Sequence, residues 1–147
     1  MSAGPPRVLL AATAFGGLAG LRVLTPPAVL LFAQRKPAAW VVALFASGEL
    51  LADKLPATPP RVVGPALALR ALGGGAWAAV FAKRGGACAA SAFALGAAAA
   101  VGTSVASFAA RVVINARTGA ADTAVAVVED ALAIGASVWL VSLNSPA

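Results

Sequence analysis

A chain of 147 residues that is 61% hydrophobic and only 11% charged is far from the soluble average of roughly a quarter charged, and a soluble domain this size could not cover that much apolar surface. The net charge of +6 comes with no basic run or soluble recognition helix, which argues against a nucleic-acid partner; basic residues beside apolar spans orient a membrane protein and meet anionic headgroups instead. Histidine is absent and cysteine occurs once, so the chain lacks the commonest general base and metal ligand and has no intrachain disulfide, and no cofactor is expected.

The first apolar segment covers about 7–24. Arg7 followed by an apolar run and Ala12-Thr13-Ala14 resembles a signal peptide, but the apolar character continues past any cleavage site, which favours a retained helix. Thr25-Pro26-Pro27 then removes two backbone donors and breaks the helix. The apolar stretch 25–32 beyond the break is either the second half of a broken first helix or a short re-entrant piece buried against protein.

A second helix is expected over 38–55, bounded by Pro37 and by Pro56, Pro59 and Pro60. A third covers 62–82, and Lys83-Arg84-Gly85-Gly86 separates it from a fourth over 86–110. A fifth covers 121–143. Roughly 20 apolar residues cross a hydrocarbon core of about 30 Å, so the reading is an all-α polytopic transmembrane bundle of about five helices. It forms a single domain over 1–147, with short connections and antiparallel neighbours. Cys88 falls within the fourth segment, where a buried packing role is expected. Gly16 and Gly20, and the small residues of the fourth helix, predict close helix contacts, with a homo-oligomer seam as their second use. The run Gly73-Gly74-Gly75 either bends the third helix or packs closely.

Five alternating spans put Trp40, Trp77 and Trp139 toward one face, as an aromatic belt requires. The doublets Arg35-Lys36 and Lys83-Arg84 fall on that face with no acid nearby. This marks it as cytoplasmic and places the C-terminus inside and the N-terminus outside. Arg22 and Arg111 each close a span, with acids in the following one. That pattern suggests a weak inverted repeat of the kind found in secondary transporters.

The remaining charges gather toward the Trp-poor face. Glu49 and Asp53 stand four apart on the second helix and share one side of it. Glu129 and Asp130 lie about two turns into the fifth helix, and Arg70 about two turns into the third. Lys54, Arg61, Arg111, Arg117 and Asp122 complete the set. A charge at membrane depth costs roughly 3 kcal/mol, so these groups must pair or line water. As ion pairs, Glu49 with Arg70 and Glu129 with Arg111 are the natural partners. As a polar cavity, Glu49, Asp53, Arg70, Arg111, Glu129 and Asp130 form the candidate site, with Arg22, Lys54 and Arg61 secondary. Glu49 and Glu129 sit deepest and suit proton coupling or cation binding. Four carboxylates could hold a hard divalent cation through oxygen, whereas the nearby arginines suit a phosphate or carboxylate. Arg22, near the end of the first helix, is expected to snorkel to headgroups.

Several fragments carry a family resemblance. They are Gly17-Leu-Ala-Gly-Leu-Arg22 before Pro26 and Pro27, Glu49-Leu-Leu-Ala-Asp53-Lys54-Leu-Pro56, Arg61-Val-Val-Gly64-Pro65-Ala66, and the late Glu129-Asp130 pair. In order and spacing the chain resembles a bacterial family of small integral membrane proteins classed as a domain of unknown function. The resemblance implies a multi-pass protein of the inner membrane and supplies no substrate. The leading functional expectation is a transporter or channel-like protein for an ion, proton or small polar solute, with membrane lipids as partners. The alternative is a non-catalytic structural, accessory or lipid-headgroup-binding protein. A lipid-phosphate enzyme ranks third, because no nucleophile–base signature is present.

Overall fold

The computed structural model describes residues 5–52, 64–119 and 122–143, and among these the only regular structure is helical. Six helices follow in order: α1 (Pro5–Leu18), α2 (Thr25–Ala33), α3 (Ala38–Ala52), α4 (Gly64–Arg84), α5 (Ala89–Thr118) and α6 (Asp122–Leu143). The sixth arises because the first segment stops at Leu18 rather than at residue 24, and the stretch after the double proline forms its own helix. Pro26 and Pro27 occupy the first turn of α2, where their fixed φ suits a helix start and their missing N–H groups need no partner. Helix α5 also starts and ends later than expected, with Gly119 at φ 64° closing it.

Helices α1, α4 and α5 pack through glycine. A Cβ on Gly16 would stand 2.6 Å from the Gly74 carbonyl oxygen and 2.8 Å from Gly96 Cα. One on Gly74 would stand 2.6 Å from Ala100 Cβ and 2.7 Å from the Gly16 carbonyl oxygen. Three backbones therefore meet where only hydrogen atoms fit, the device expected of helices that pack by dispersion in an apolar solvent. The glycine run of α4 is a contact surface inside a continuous helix.

Helix α2 turns back beside α1. Near its start, α1 lays Val8 against Gly85, just past the end of α4; at its far end Gly20 meets Ala100 and Ser104 in the middle of α5. Helix α2 starts at that depth and returns. Leu30 joins Ala12, Phe15, Phe81, Ala92, Leu140 and Val141 in one cluster, and Phe32 reaches Trp40 at the start of α3, ring centroids 5.0 Å apart. So 25–33 takes the re-entrant form of the two expected. The start of α1, the end of α2, the start of α3, the end of α4, the start of α5 and the end of α6 share one end of the bundle. This corrects the expectation that the first apolar segment begins on the side opposite to the one where the last segment ends. That expectation counted the first segment as a crossing.

Among the described residues three helices are long and apolar enough to cross a membrane: Gly64–Arg84, Ala89–Thr118 and Thr123–Leu143. The apolar stretches Pro6–Leu18 and Ala38–Glu49 are shorter. At about 1.5 Å per residue, the 14 residues of α1 reach only about 21 Å. That length suits a hairpin arm that enters the bundle and stops.

Because Gly74 is walled by backbone on two sides, Gly74→Ala should lower stability by about 1–3 kcal/mol, a drop of several degrees in melting temperature in detergent. Gly102, with nothing within 4 Å of a built Cβ, is the control: Gly102→Ala should melt like the parent. Equal melting of the two variants would contradict the glycine crossing.

Candidate functional site

The polar groups collect around residues 19–24, the unwound tip between α1 and α2. The last turn of α1 tightens, with Ala19, Gly20 and Leu21 N–H donating to the carbonyls of Gly16, Gly17 and Leu18. This leaves the Gly20 and Leu21 carbonyls directed out of the helix. Arg70 Nη1 donates to both, at 2.8 and 3.2 Å. Ser104 Oγ lies 3.0 Å from the Gly20 oxygen, and Thr103 Oγ1 lies 2.5 Å from that of Gly17. A buried, unpaired carbonyl or amide costs about as much as a lost hydrogen bond or more, so side chains from α4 and α5 are what permit the break.

The other half of the tip faces a carboxylate. Val23 N–H donates to Glu49 Oε1 at 2.9 Å and Leu24 N–H to Oε2 at 3.0 Å. Both donors precede the prolines, so Glu49 takes amides that the first turn of α2 cannot use internally. It also places negative charge at the positive end of that helix. Arg70 Nη2 lies 3.9 Å from Glu49 Oε1, so one guanidinium serves both the freed carbonyls and the carboxylate that holds the freed amides.

Arg22 corrects an expectation. It does not reach toward headgroups; it is 0% exposed, and its Nε donates to Asp130 Oδ1 at 2.6 Å with a second nitrogen paired to the same oxygen. Consecutive helical residues point about 100° apart. Glu129 therefore turns to α5, where it pairs with Arg111, while Asp130 turns to the tip. Arg22 takes its acid from α6 rather than from α3, the next long segment. The sequence offered one signal for this: a lone arginine at a proline break has no neighbouring acid, so its partner had to come from a distant helix.

Of the expected site residues, the structure gathers Glu49, Arg70, Arg22 and Asp130 around the tip and places Arg111 with Glu129 between α5 and α6. Both expected pairs, Glu49 with Arg70 and Glu129 with Arg111, are present. Asp53, Lys54 and Arg61 lie outside the described residues. Among the described residues no group of three or more His, Cys, Asp or Glu side chains is placed to hold a metal ion, since Glu129 and Asp130 diverge and Glu49 is held by backbone amides.

Arg111 and Glu129 also line a cleft of about 380 Å³ between α5 and α6, otherwise walled mainly by apolar side chains such as Leu21, Val125, Val128 and Leu132. Cys88 is exposed, at the N-cap of α5 rather than buried within a span. Hydrogen bonding from Ser91, through backbone and side chain, and from the Ala90 amide pulls its thiol below the ordinary value. Comparisons with protein-family models, with curated proteins and with solved structures find no match.

Two measurements test these assignments. Asp130→Ala removes an acid partner of the buried Arg22 and should cost about 3–5 kcal/mol, with partial recovery when Arg22→Met is added; melting that is unchanged by Asp130→Ala would exclude the buried pair. A lowered thiol pKa means more thiolate near neutrality, so Cys88 should alkylate with iodoacetamide faster than a free model thiol at pH 7. Ser91→Ala should slow it, with the rate profile moving to higher pH.

Proposed function

We propose that this chain is a small multi-pass membrane protein of the transporter or channel-like kind, handling an ion, a proton or a small polar solute at the tip of its re-entrant hairpin. The observation that carries the reading is the tip itself. An interrupted backbone stands about 20 Å inside the bundle with its carbonyls on Arg70 and its amides on Glu49. Solute sites of secondary transporters are typically built at discontinuous helices, and irregular backbone at depth is tolerated only where it is buried in protein or lines a cavity. Glu49, Arg70, Arg22 and Asp130 would form the site, and Arg111 with Glu129, on the wall of the α5–α6 cleft, would flank an approach to it. The motif resemblance to small bacterial inner-membrane proteins agrees with this setting.

A second reading, a non-catalytic structural or accessory protein, draws on one feature: the buried Arg22 and Arg70 and the partly buried Arg111 each have an acid partner. In that case the network only locks the hairpin against α3, α4 and α6.

Flux separates the two. Glu49→Gln and Glu129→Gln proteins that purify and melt as folded bundles are reconstituted in vesicles, and proton, sodium, potassium and phosphate movements are followed across pH. The transport reading expects a flux above that of empty vesicles for at least one of these, reduced about tenfold or more by either substitution, the loss of one charged hydrogen bond. Flux no different from empty vesicles for all four probes would leave the structural reading in place.

A further inference from the structure

The hairpin changes which charges share an end of the molecule. With α1 counted as a crossing, Arg7 belongs opposite Arg35-Lys36 and Lys83-Arg84, and the two faces hold nearly equal numbers of basic residues. In the structure Val8 packs against Gly85, which brings Arg7 to the same end as Lys83 and Arg84. The return of α2 brings Arg35 and Lys36 there as well. All five side chains are exposed, and the acids of the described residues whose side chains are placed, Glu49, Glu129 and Asp130, are engaged deep in the bundle. The three arginines that pair with them cancel their charge. Of the remaining charges, Asp53, Lys54 and Arg61 fall in sequence between α3 and α4, Arg117 lies in the last turn of α5 and Asp122 opens α6, and together they nearly cancel. Almost the whole net charge of +6 therefore stands at one end.

The local structure presents these charges outward. Helix α2 closes with Lys36 N–H on the Leu31 carbonyl and Arg35 N–H on that of Phe32, a Schellman turn whose left-handed position is filled by Arg35 at φ 53°. Helix α4 closes likewise, Ala87 N–H on Ala82 and Gly86 N–H on Lys83, with Gly86 at φ 75°. Each turn stops a helix just after or beside its basic doublet. Trp40 and Trp139, both well exposed, lie toward this same end, at the start of α3 and near the end of α6.

From this geometry we propose that the basic end is a docking surface for anionic phospholipid headgroups, that it faces the cytoplasmic leaflet, and that the start of α1 and the end of α6 lie on that side. The proposal rests on the membrane reading given above. Exposed basic groups gathered at one end near exposed tryptophans can meet lipid phosphates at close range, each Lys or Arg adding roughly a fivefold preference for an anionic surface. The positive-inside bias counts such residues next to short loops, which are the positions they occupy.

The test uses the full chain in vesicles of phosphatidylcholine containing matched fractions of brominated phosphatidylglycerol or brominated phosphatidylcholine, with tryptophan fluorescence as the readout. Brominated phosphatidylglycerol should quench more strongly, and raised salt should reduce the difference. The combined substitution Arg35→Gln, Lys36→Gln, Lys83→Gln and Arg84→Gln should bring the two lipids close to parity, while Arg117→Gln leaves the difference intact. Equal quenching of the parent by both lipids overturns the docking surface but leaves the protein in the bilayer; quenching by neither overturns the membrane reading itself. Reporter fusions at the two ends should both be active in the cytoplasm, and activity of either on the far side overturns the orientation.

Discussion

An interrupted backbone inside an apolar bundle must have its amide and carbonyl groups paired, and the rest of this structure follows from how that is done. Helix α1 stops at Leu18 deep in the molecule and α2 restarts at Thr25 with the double proline in its first turn, which exposes carbonyls on one side of the break and amides on the other. Water cannot be assumed at that depth, so side chains supply the partners: Arg70, Ser104 and Thr103 for the carbonyls, Glu49 for the amides. Those charges then need partners of their own. The three pairs Arg22–Asp130, Arg70–Glu49 and Arg111–Glu129 leave the interior close to neutral.

The glycine crossing serves the same end. Gly16, Gly74 and Gly96 let α1 approach α4 and α5 until backbones touch, and only at that approach can Ser104 reach the Gly20 oxygen. Small residues in the arm and polar residues at its tip are thus two parts of one device: the first sets the depth of insertion, the second satisfies what insertion uncovers. Ion pairs of this kind are poor stabilisers compared with apolar packing. Their presence is explained by the break, which creates backbone groups that apolar side chains cannot satisfy.

Much of this was legible in the sequence, and what was not has physical reasons. The long apolar segments, the break at Pro26-Pro27 and the partners of Glu49 and Glu129 follow from hydropathy, proline geometry and charge balance. The direction of α2 does not. Thr25–Ala33 is apolar on every side, so no polar face orients it, and its reversal depends on contacts with Leu140 and Val141 more than a hundred residues away. Arg22 was misplaced for the same reason, since its partner Asp130 lies 108 residues on. Cys88 was misplaced by composition: alanines surround it on both sides, and only the Lys83–Gly86 turn fixes where α5 begins. The sequence motif from Asp53 to Arg61 lies outside the described residues.

The central claim, that α2 returns toward the start of α1, is tested most directly by proximity. Phe32 and Ser142 line one cleft near the end of α6, whereas Ile114 lies at the far end of α5. In a Cys88→Ser background in native membranes, Phe32→Cys should be joined to Ser142→Cys by a short bismaleimide and should not be joined to Ile114→Cys. The reverse pattern, with Phe32→Cys linking to the Ile114 position, would show that the chain runs on through the bundle and would contradict the hairpin.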